Sequence, residues 1–420
     1  MEGLRGLLGL AFLLLVAVAF STHRRRISLR TVAAALILQV AFAALVLRWD
    51  PGEDALAWVS DRVADLIGYA EEGTAFVFGP LLEVGTENDT IFALQVLPVI
   101  VFLGALIGLL FYLRVIQYAT YVIGGTIARA LGVSKVESMY ASTVIFLGQS
   151  EAPLMIAPYL RHLRTPQVFT VMVSGFAAAA GSTLVGYSLL GAPLEYLLAA
   201  TVMNAPAGLL MAKIMWPDEA ETAANPEPDD DDEPPACEID VRSVRDEESA
   251  NAIDAVGRGA LAGGRIAVTV GTLLIAFIAL IALANGILGT VGGWFGRDDL
   301  TFQLLLGWAL APLAWLLGVP WDEAVEAGSY IGEKTVLNEF VAYASFGPNV
   351  DNLSTITVVI VTFALAGFAN FASIAIQIGT ISSLRPELRA TLARLGMRAL
   401  LAGSLANLAN AAIAGVVVSL

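Results

Sequence analysis

Apolar positions along this chain gather into long unbroken runs, at 7–20, 31–47, 92–113, 169–190 and 266–283. Runs near 20 residues match the roughly 30 Å hydrocarbon core that a helix must cross. Barrel strands would alternate apolar and polar positions, so helices remain as the way to satisfy a backbone in lipid. The pattern predicts an all-α polytopic membrane protein. Composition agrees. Hydrophobic residues make up 57% of the 420 and charged residues 15%, against about 25% charged in soluble proteins.

Placing arginine-rich loops on the cytoplasmic side gives a consistent path. About eight transmembrane helices follow, near 7–20, 31–48, 91–114, 168–190, 194–214, 264–288, 355–383 and 398–419. The first is preceded by Arg5 and followed by Arg24, Arg25, Arg26 and Arg30. That order favours an uncleaved span over a signal peptide, despite Ala17-Val18-Ala19, and puts the N- and C-termini outside. Residues 50–73 read as an interfacial helix. Four regions result: 1–90 with the N-terminal spans, 91–216, an acidic cytoplasmic linker at 217–260, and 261–420.

Two stretches do not fit a simple span. Within 134–163, the polar break Gly148-Gln149-Ser150-Glu151-Ala152-Pro153 divides two apolar arms, each too short to cross alone. Within 300–346, apolar 302–319 leads to Pro320 and the acidic Asp322, Glu323 and Glu326. Gly328 to Tyr343 follow, including Glu333, Lys334, Asn338 and Glu339. Both read as re-entrant helical hairpins, oppositely oriented, one in each half of an inverted repeat. Short interrupted segments in corresponding positions of two halves point to a transporter binding site. Glu151 and Glu339 would then sit at depth, where an ionisable group costs about 2.5–3.5 kcal/mol and calls for a role. The bland alternative pairs Lys334 with Glu339 or Glu333. In the span at 355–383, Asn370 and Ser373 are three apart and share a helix face, with Phe368 and Phe371 beside them.

Charge narrows the partners. The net charge of -15 is concentrated outside the spans, above all in the linker, where an acidic run at 229–233 is flanked by Pro226, Pro228, Pro234 and Pro235. Such a segment is solvated rather than packed, and so acidic a chain argues against a nucleic-acid partner. One cysteine, Cys237, and two histidines, His23 and His162, leave no material for a disulfide or a thiolate cluster. An enzyme is also disfavoured. Gly148-x-Ser150 fails the nucleophile pattern at Ala152, and neither histidine reaches the hairpin tip as a base.

Three motifs in order, Gly148-Gln149-Ser150-Glu151-Ala152-Pro153, Asn338-Glu339-Phe340-Val341-Ala342-Tyr343 and Gly367-Phe368-Ala369-Asn370-Phe371, carry a resemblance to the concentrative nucleoside transporters. It extends from about residue 95 to 420, with N-terminal spans like the prokaryotic form. The resemblance implies a secondary active transporter of the cell (inner or plasma) membrane, importing nucleosides by symport with a cation. It also implies a homotrimer in lipid with elevator-type movement, and no organic cofactor. Gln149, Ser150 and Glu151 match positions that meet the nucleobase. Glu339, Asn370 and Ser373 match positions holding ribose hydroxyls, and Phe368 matches one touching substrate. The chemistry is sensible, since hydroxyl donors suit a carboxylate and an amide oxygen. A gate-domain protein moving another solute, or serving as an assembly subunit, is the rival reading.

One departure concerns the coupling ion, H+ or Na+. Sodium positions of the family fall near Val144, Leu147, Ala178 and Ala179, whose side chains supply no oxygen. Backbone carbonyls and Thr143 remain. The balance tips slightly toward protons, with Glu151 or Glu339 as the titrating group.

Overall fold

The computed structural model describes residues 2–83, 91–218, 242, 244–246, 248–297 and 299–420. The acidic run 229–233 and Cys237 lie outside these. Among the described residues the chain is helical throughout and contains no strand.

The N-terminal region forms α1 (Glu2–Ala19), α2 (Leu29–Leu47) and α3 (Asp50–Phe78). Ser28 starts α2 by accepting the Thr31 amide. The next part holds α4 (Phe92–Gln95), α5 (Leu97–Tyr112), α6 (Val115–Leu131) and α7 (Lys135–Met155). A 3-10 turn (Ala157–His162), α8 (Thr165–Ala177), α9 (Gly181–Leu189) and α10 (Leu194–Met215) complete the first half. The second half opens with α11 (Ala252–Gly293) and α12 (Phe302–Leu317), then α13 (Ala324–Val336) and α14 (Glu339–Phe346). It closes with α15 (Thr355–Leu365), α16 (Phe371–Leu384) and α17 (Arg389–Ser419).

Burial sorts these helices into an inner and an outer set. The apolar window of Thr165–Leu189 is 94% buried and that of α10 89%, whereas the window in α11 is 17% buried. Apolar side chains left outside, such as Val268, Ile275 and Leu283 on α11, are what a helix facing lipid requires. The outer pair α5 and α11 packs closely because both carry glycine at four-residue spacing. A Cβ on Gly104 would lie 2.5 Å from the Gly259 carbonyl oxygen, and one on Gly263 2.5 Å from that of Ile100. Small residues let backbones meet where lipid supplies no hydrophobic drive.

Several sequence expectations shift. Six helices, by length and composition, can cross a membrane among the described residues, against about eight expected. The difference has a local cause: the span at 355–383 is two helices, α15 and α16, each too short alone, and α1 is likewise short. Asn370 therefore does not share a helix face with Ser373; it caps α16 from outside. The region 300–346 holds three helices, with the tight break at Leu337–Asn338 and α12 set apart by Gly318 at φ 119°. The linker expected through 260 ends sooner, because Asn251 accepts the amides of Ile253 and Asp254 and starts α11 at Ala252. Residues 115–131, to which no element had been given, form α6.

Candidate functional site

Four interruptions converge. Helix α7 is broken at Gly148, whose φ of 76° and ψ of 174° belong to glycine-only backbone. Between α8 and α9 the chain unwinds through Ala178–Ala180, and between α15 and α16 through Ala366–Asn370. The last two touch: the Phe368 amide donates to the Ala178 carbonyl at 3.0 Å. The fourth is the α13–α14 break, where Asn338 caps α14 by accepting the Val341 amide at 2.9 Å. Asparagine, here and at the start of α16, is a residue type that helix starts favour, whereas Ala180 at the start of α9 makes no side-chain cap bond.

These breaks line up one continuous hydrogen-bonded chain of buried side chains. Gln149 Nε2 donates to Ser373 Oγ at 2.9 Å. The Ser373 amide donates to Asn370 Oδ1 at 2.9 Å, and Asn370 Nδ2 donates to Glu339 Oε2 at 2.8 Å. The other oxygen, Glu339 Oε1, accepts from the Tyr187 hydroxyl at 3.1 Å. Tyr187 stacks on Tyr343 with ring centroids 4.6 Å apart and meets Phe340 edge-on at 4.8 Å. Thus an aromatic wall from α9 and α14 backs the carboxylate.

Of the seven residues singled out in the sequence, Gln149, Ser373, Asn370 and Glu339 are in this chain. Phe368 is buried beside Gly148, its ring edge 3.9 Å from where a Cβ there would sit. Glu151, two residues beyond Gln149, lines a cavity of about 480 Å³ together with Leu147, Ser182 and the α5–α11 groove. Ser150 is exposed and outside the chain. Tyr187 was missed, and nothing local marks it, since a tyrosine in an apolar run is ordinary. Gln377 was missed too, although a glutamine one turn beyond Ser373 in an apolar helix is a readable signal.

A second polar cluster holds the crossing of the unwound segments. Lys334 Nζ donates to Asn407 Oδ1 at 2.9 Å and to the Ala364 carbonyl at 3.3 Å. Lys334 therefore makes these bonds instead of the ion pair weighed with Glu333 or Glu339. Asn407 Nδ2 donates to the Ala177 carbonyl at 2.7 Å, and Asn204 Nδ2 to the Ala366 carbonyl at 2.6 Å. Asn410 Nδ2 donates to Asn204 Oδ1 at 2.9 Å. Carbonyls released by unwinding thus find donors inside the protein, the condition for non-helical backbone at depth.

Val144, Leu147, Ala178 and Ala179 are all buried. Thr143 Oγ1 turns back to donate to the Met139 carbonyl at 2.8 Å, and the Ala178 carbonyl is occupied by Phe368. At these four positions the oxygens open to a cation are therefore main-chain carbonyls.

Three family profiles cover nearly the whole chain. They are "Na+ dependent nucleoside transporter N-terminus" over 8–81, "Nucleoside recognition" over 93–194, and "Na+ dependent nucleoside transporter C-terminus" over 196–415. The chain belongs to the concentrative nucleoside transporter family. Among relatives of this family, it is 49% identical to an uncharacterized transporter, YutK, of Bacillus subtilis, with 99% of each chain covered. It is 40% identical to the nucleoside permease NupC of Helicobacter pylori, over 100% of this chain and 99% of that one. The structure of CNTnw in an inward-facing substrate-bound state superposes with a TM-score of 0.91 at 46% identity, covering 100% of this chain and 98% of that one. A variant of CNTnw in an outward-facing state superposes at 0.92, with the same identity and coverage. As a member of the family the chain is a multi-pass membrane protein of the nucleoside transporter class, and the known relatives are transporters rather than enzymes.

Proposed function

We propose that this protein imports nucleosides by symport with a cation, using alternating access. The observation that carries the reading is the buried chain Gln149–Ser373–Asn370–Glu339–Tyr187, drawn from both halves of the molecule. In the resting site these groups bond to one another. A nucleoside exchanges those bonds for its own: ribose hydroxyls donate to Glu339 and engage Asn370 and Ser373, and the base edge meets Gln149 and Glu151. Phe368 lies against the bound molecule, and Ser150 completes the first polar break. Leaving such buried groups unpaired is costly, so a sugar lacking its hydroxyls is rejected.

The two broken elements, α7 with its 3-10 turn and α13 with α14, act as the re-entrant hairpins of an inverted repeat. They move with α8, α9 and α15–α17 as one body against an outer frame that includes α5 and α11. The cavity beside Glu151 is the route by which substrate leaves that body. The elevator movement and a homotrimer in lipid follow from the family resemblance, and external termini from the placement of the arginine-rich loops.

The coupling ion is H+ in preference to Na+, because Val144, Leu147, Ala178 and Ala179 offer only backbone oxygen and Thr143 is turned away. Glu151 or Glu339 carries the proton. Purified protein in proteoliposomes tests both parts. Radiolabelled uridine and adenosine are offered with sodium and proton gradients imposed separately, and Glu339→Gln serves as control. Uptake driven by the proton gradient alone and lost in the variant is expected. Uptake following a sodium gradient at clamped pH overturns the choice of ion, and no uptake under any gradient overturns the function.

A further inference from the structure

Gln377, one turn beyond Ser373 on α16, is fully buried. Its Nε2 donates to Gln149 Oε1 at 3.1 Å and to the Met172 carbonyl of α8 at 3.1 Å. Gly175 makes the room, since a Cβ there would fall 2.6 Å from that nitrogen. The oxygen and nitrogen of a carboxamide have nearly the same shape, so its orientation is decided by its partners. Here a main-chain carbonyl decides it. Met172 can only accept, so the Gln377 nitrogen must face it, and whatever else that nitrogen meets must also accept. Gln149 is thereby forced to turn its oxygen toward α16 and its nitrogen toward Ser373 and the site. Gln377 Oε1 is itself buried without a hydrogen-bond partner. Flipping the amide would not relieve this, because it would set oxygen against the Met172 carbonyl.

We infer that Gln377 is a positioning residue that fixes the polarity of Gln149, so that the site offers the nucleobase an N–H donor and favours bases presenting an acceptor there. Of the two hydrogens on Gln149 Nε2, one goes to Ser373 Oγ and the other remains for a carbonyl oxygen or ring nitrogen of the base. The inference rests on the nucleoside reading above. A carboxyl group at the same position supplies one hydrogen when protonated and none when ionised, whereas Gln377 supplies two to its two acceptors. The Gln149 amide would then reverse and present oxygen to the base.

The test compares uridine with its phenyl riboside analogue, in which a benzene ring replaces the base and no acceptor remains. Competition constants for both are measured in proteoliposomes for the wild type, Gln377→Glu and Gln377→Met, alongside Vmax for uridine. The advantage of uridine over the analogue should narrow about 10-fold in Gln377→Glu and about 3-fold in Gln377→Met, in line with one hydrogen bond lost or loosened. Vmax should stay within about twofold, because Gln377 and both its partners lie within the one moving body and their bonds do not cross to the frame. A shift of both ligands by one common factor, or of neither, overturns the inference and leaves Gln377 a packing residue. If Gln377→Glu is not recovered as folded protein, the narrower Gln377→Met comparison decides on the same two outcomes. A wild type that transports neither uridine nor adenosine defeats the underlying nucleoside reading instead, so the two failures are told apart.

Discussion

Between α8 and α9 the chain unwinds through alanines, Ala178–Ala180, and between α15 and α16 through Ala366–Asn370, ending in a polar cap. The alanine break has no side chain with which to repair itself. Its carbonyls are met from the other half of the molecule, Ala177 by Asn407 and Ala178 by the Phe368 amide. The asparagine break also takes a distant donor, Asn204 Nδ2 on the Ala366 carbonyl, but adds a local repair: Asn370 Oδ1 accepts the Ser373 amide, and its amino group is left to hold Glu339. A break stabilised from afar can be made of small inert residues. One stabilised by its own cap places a spare polar group where a ligand can use it.

Substitutions can break or sharpen that contrast. The largest effect is expected at Asn407→Leu, which removes one of two partners from the buried Lys334 nitrogen and the side-chain donor from the Ala177 carbonyl together. A buried hydrogen-bonding group left without its partner costs about 1–3 kcal/mol, and here two groups lose one each. Thermal unfolding in detergent should fall accordingly, and a variant as stable as wild type would mean that the alanine break stands without remote help.

Gly148→Ala comes next. Alanine there would be strained by the φ of 76° and would bring its Cβ to 2.9 Å from that of Ala180. A loss of about 2 kcal/mol is expected, seen as a lower unfolding temperature and reduced uridine uptake. An unchanged variant would show that the first polar break does not depend on its glycine.

Asn370→Ser separates the two duties of the second break. Serine caps a helix about as well as asparagine, so stability should hold. The bond to Glu339 is lost, however, and Vmax/KM for uridine should drop about 10-fold, or 1.4 kcal/mol. A fall in stability with unchanged transport would reverse the assignment. The smallest effect belongs to Asn338, which caps α14 and makes no bond to Glu339 side-chain atoms. Asn338→Ala should cost about 1 kcal/mol of stability and Asn338→Ser a few tenths at most. Transport lost in Asn338→Ser would give this asparagine a direct part in the site.

Much of this protein was legible in one dimension. Runs such as 194–214 became α10 with its ends almost unchanged, because the length of an apolar run answers to bilayer thickness, a property of composition alone. The polar interruptions at Gly148–Glu151 and Asn338–Glu339 stood out against those runs, and glycine and asparagine announce breaks and caps by their own chemistry. Gln149, Ser373, Asn370 and Glu339 were named from such motifs, and they meet in space.

The rest needed the folded chain. Alanine is the best helix former, so nothing in Ala177 to Ala180 foretells an unwound turn; the donors that permit it are the distant Phe368 amide and Asn407 on α17, the latter 230 positions from Ala177. Lys334 read equally well as the partner of Glu333 or Glu339, and only packing brought Asn407 and the Ala364 carbonyl to it. Tyr187 reaches Glu339 across 152 positions and Gln377 reaches Gln149 across 228. The sequence by itself determined which stretches enter the membrane and which residue types interrupt them. Tertiary structure alone decided which interruptions touch and where each freed donor and acceptor goes, because a hydrogen bond depends on ångströms between atoms and hydropathy carries no information about distance.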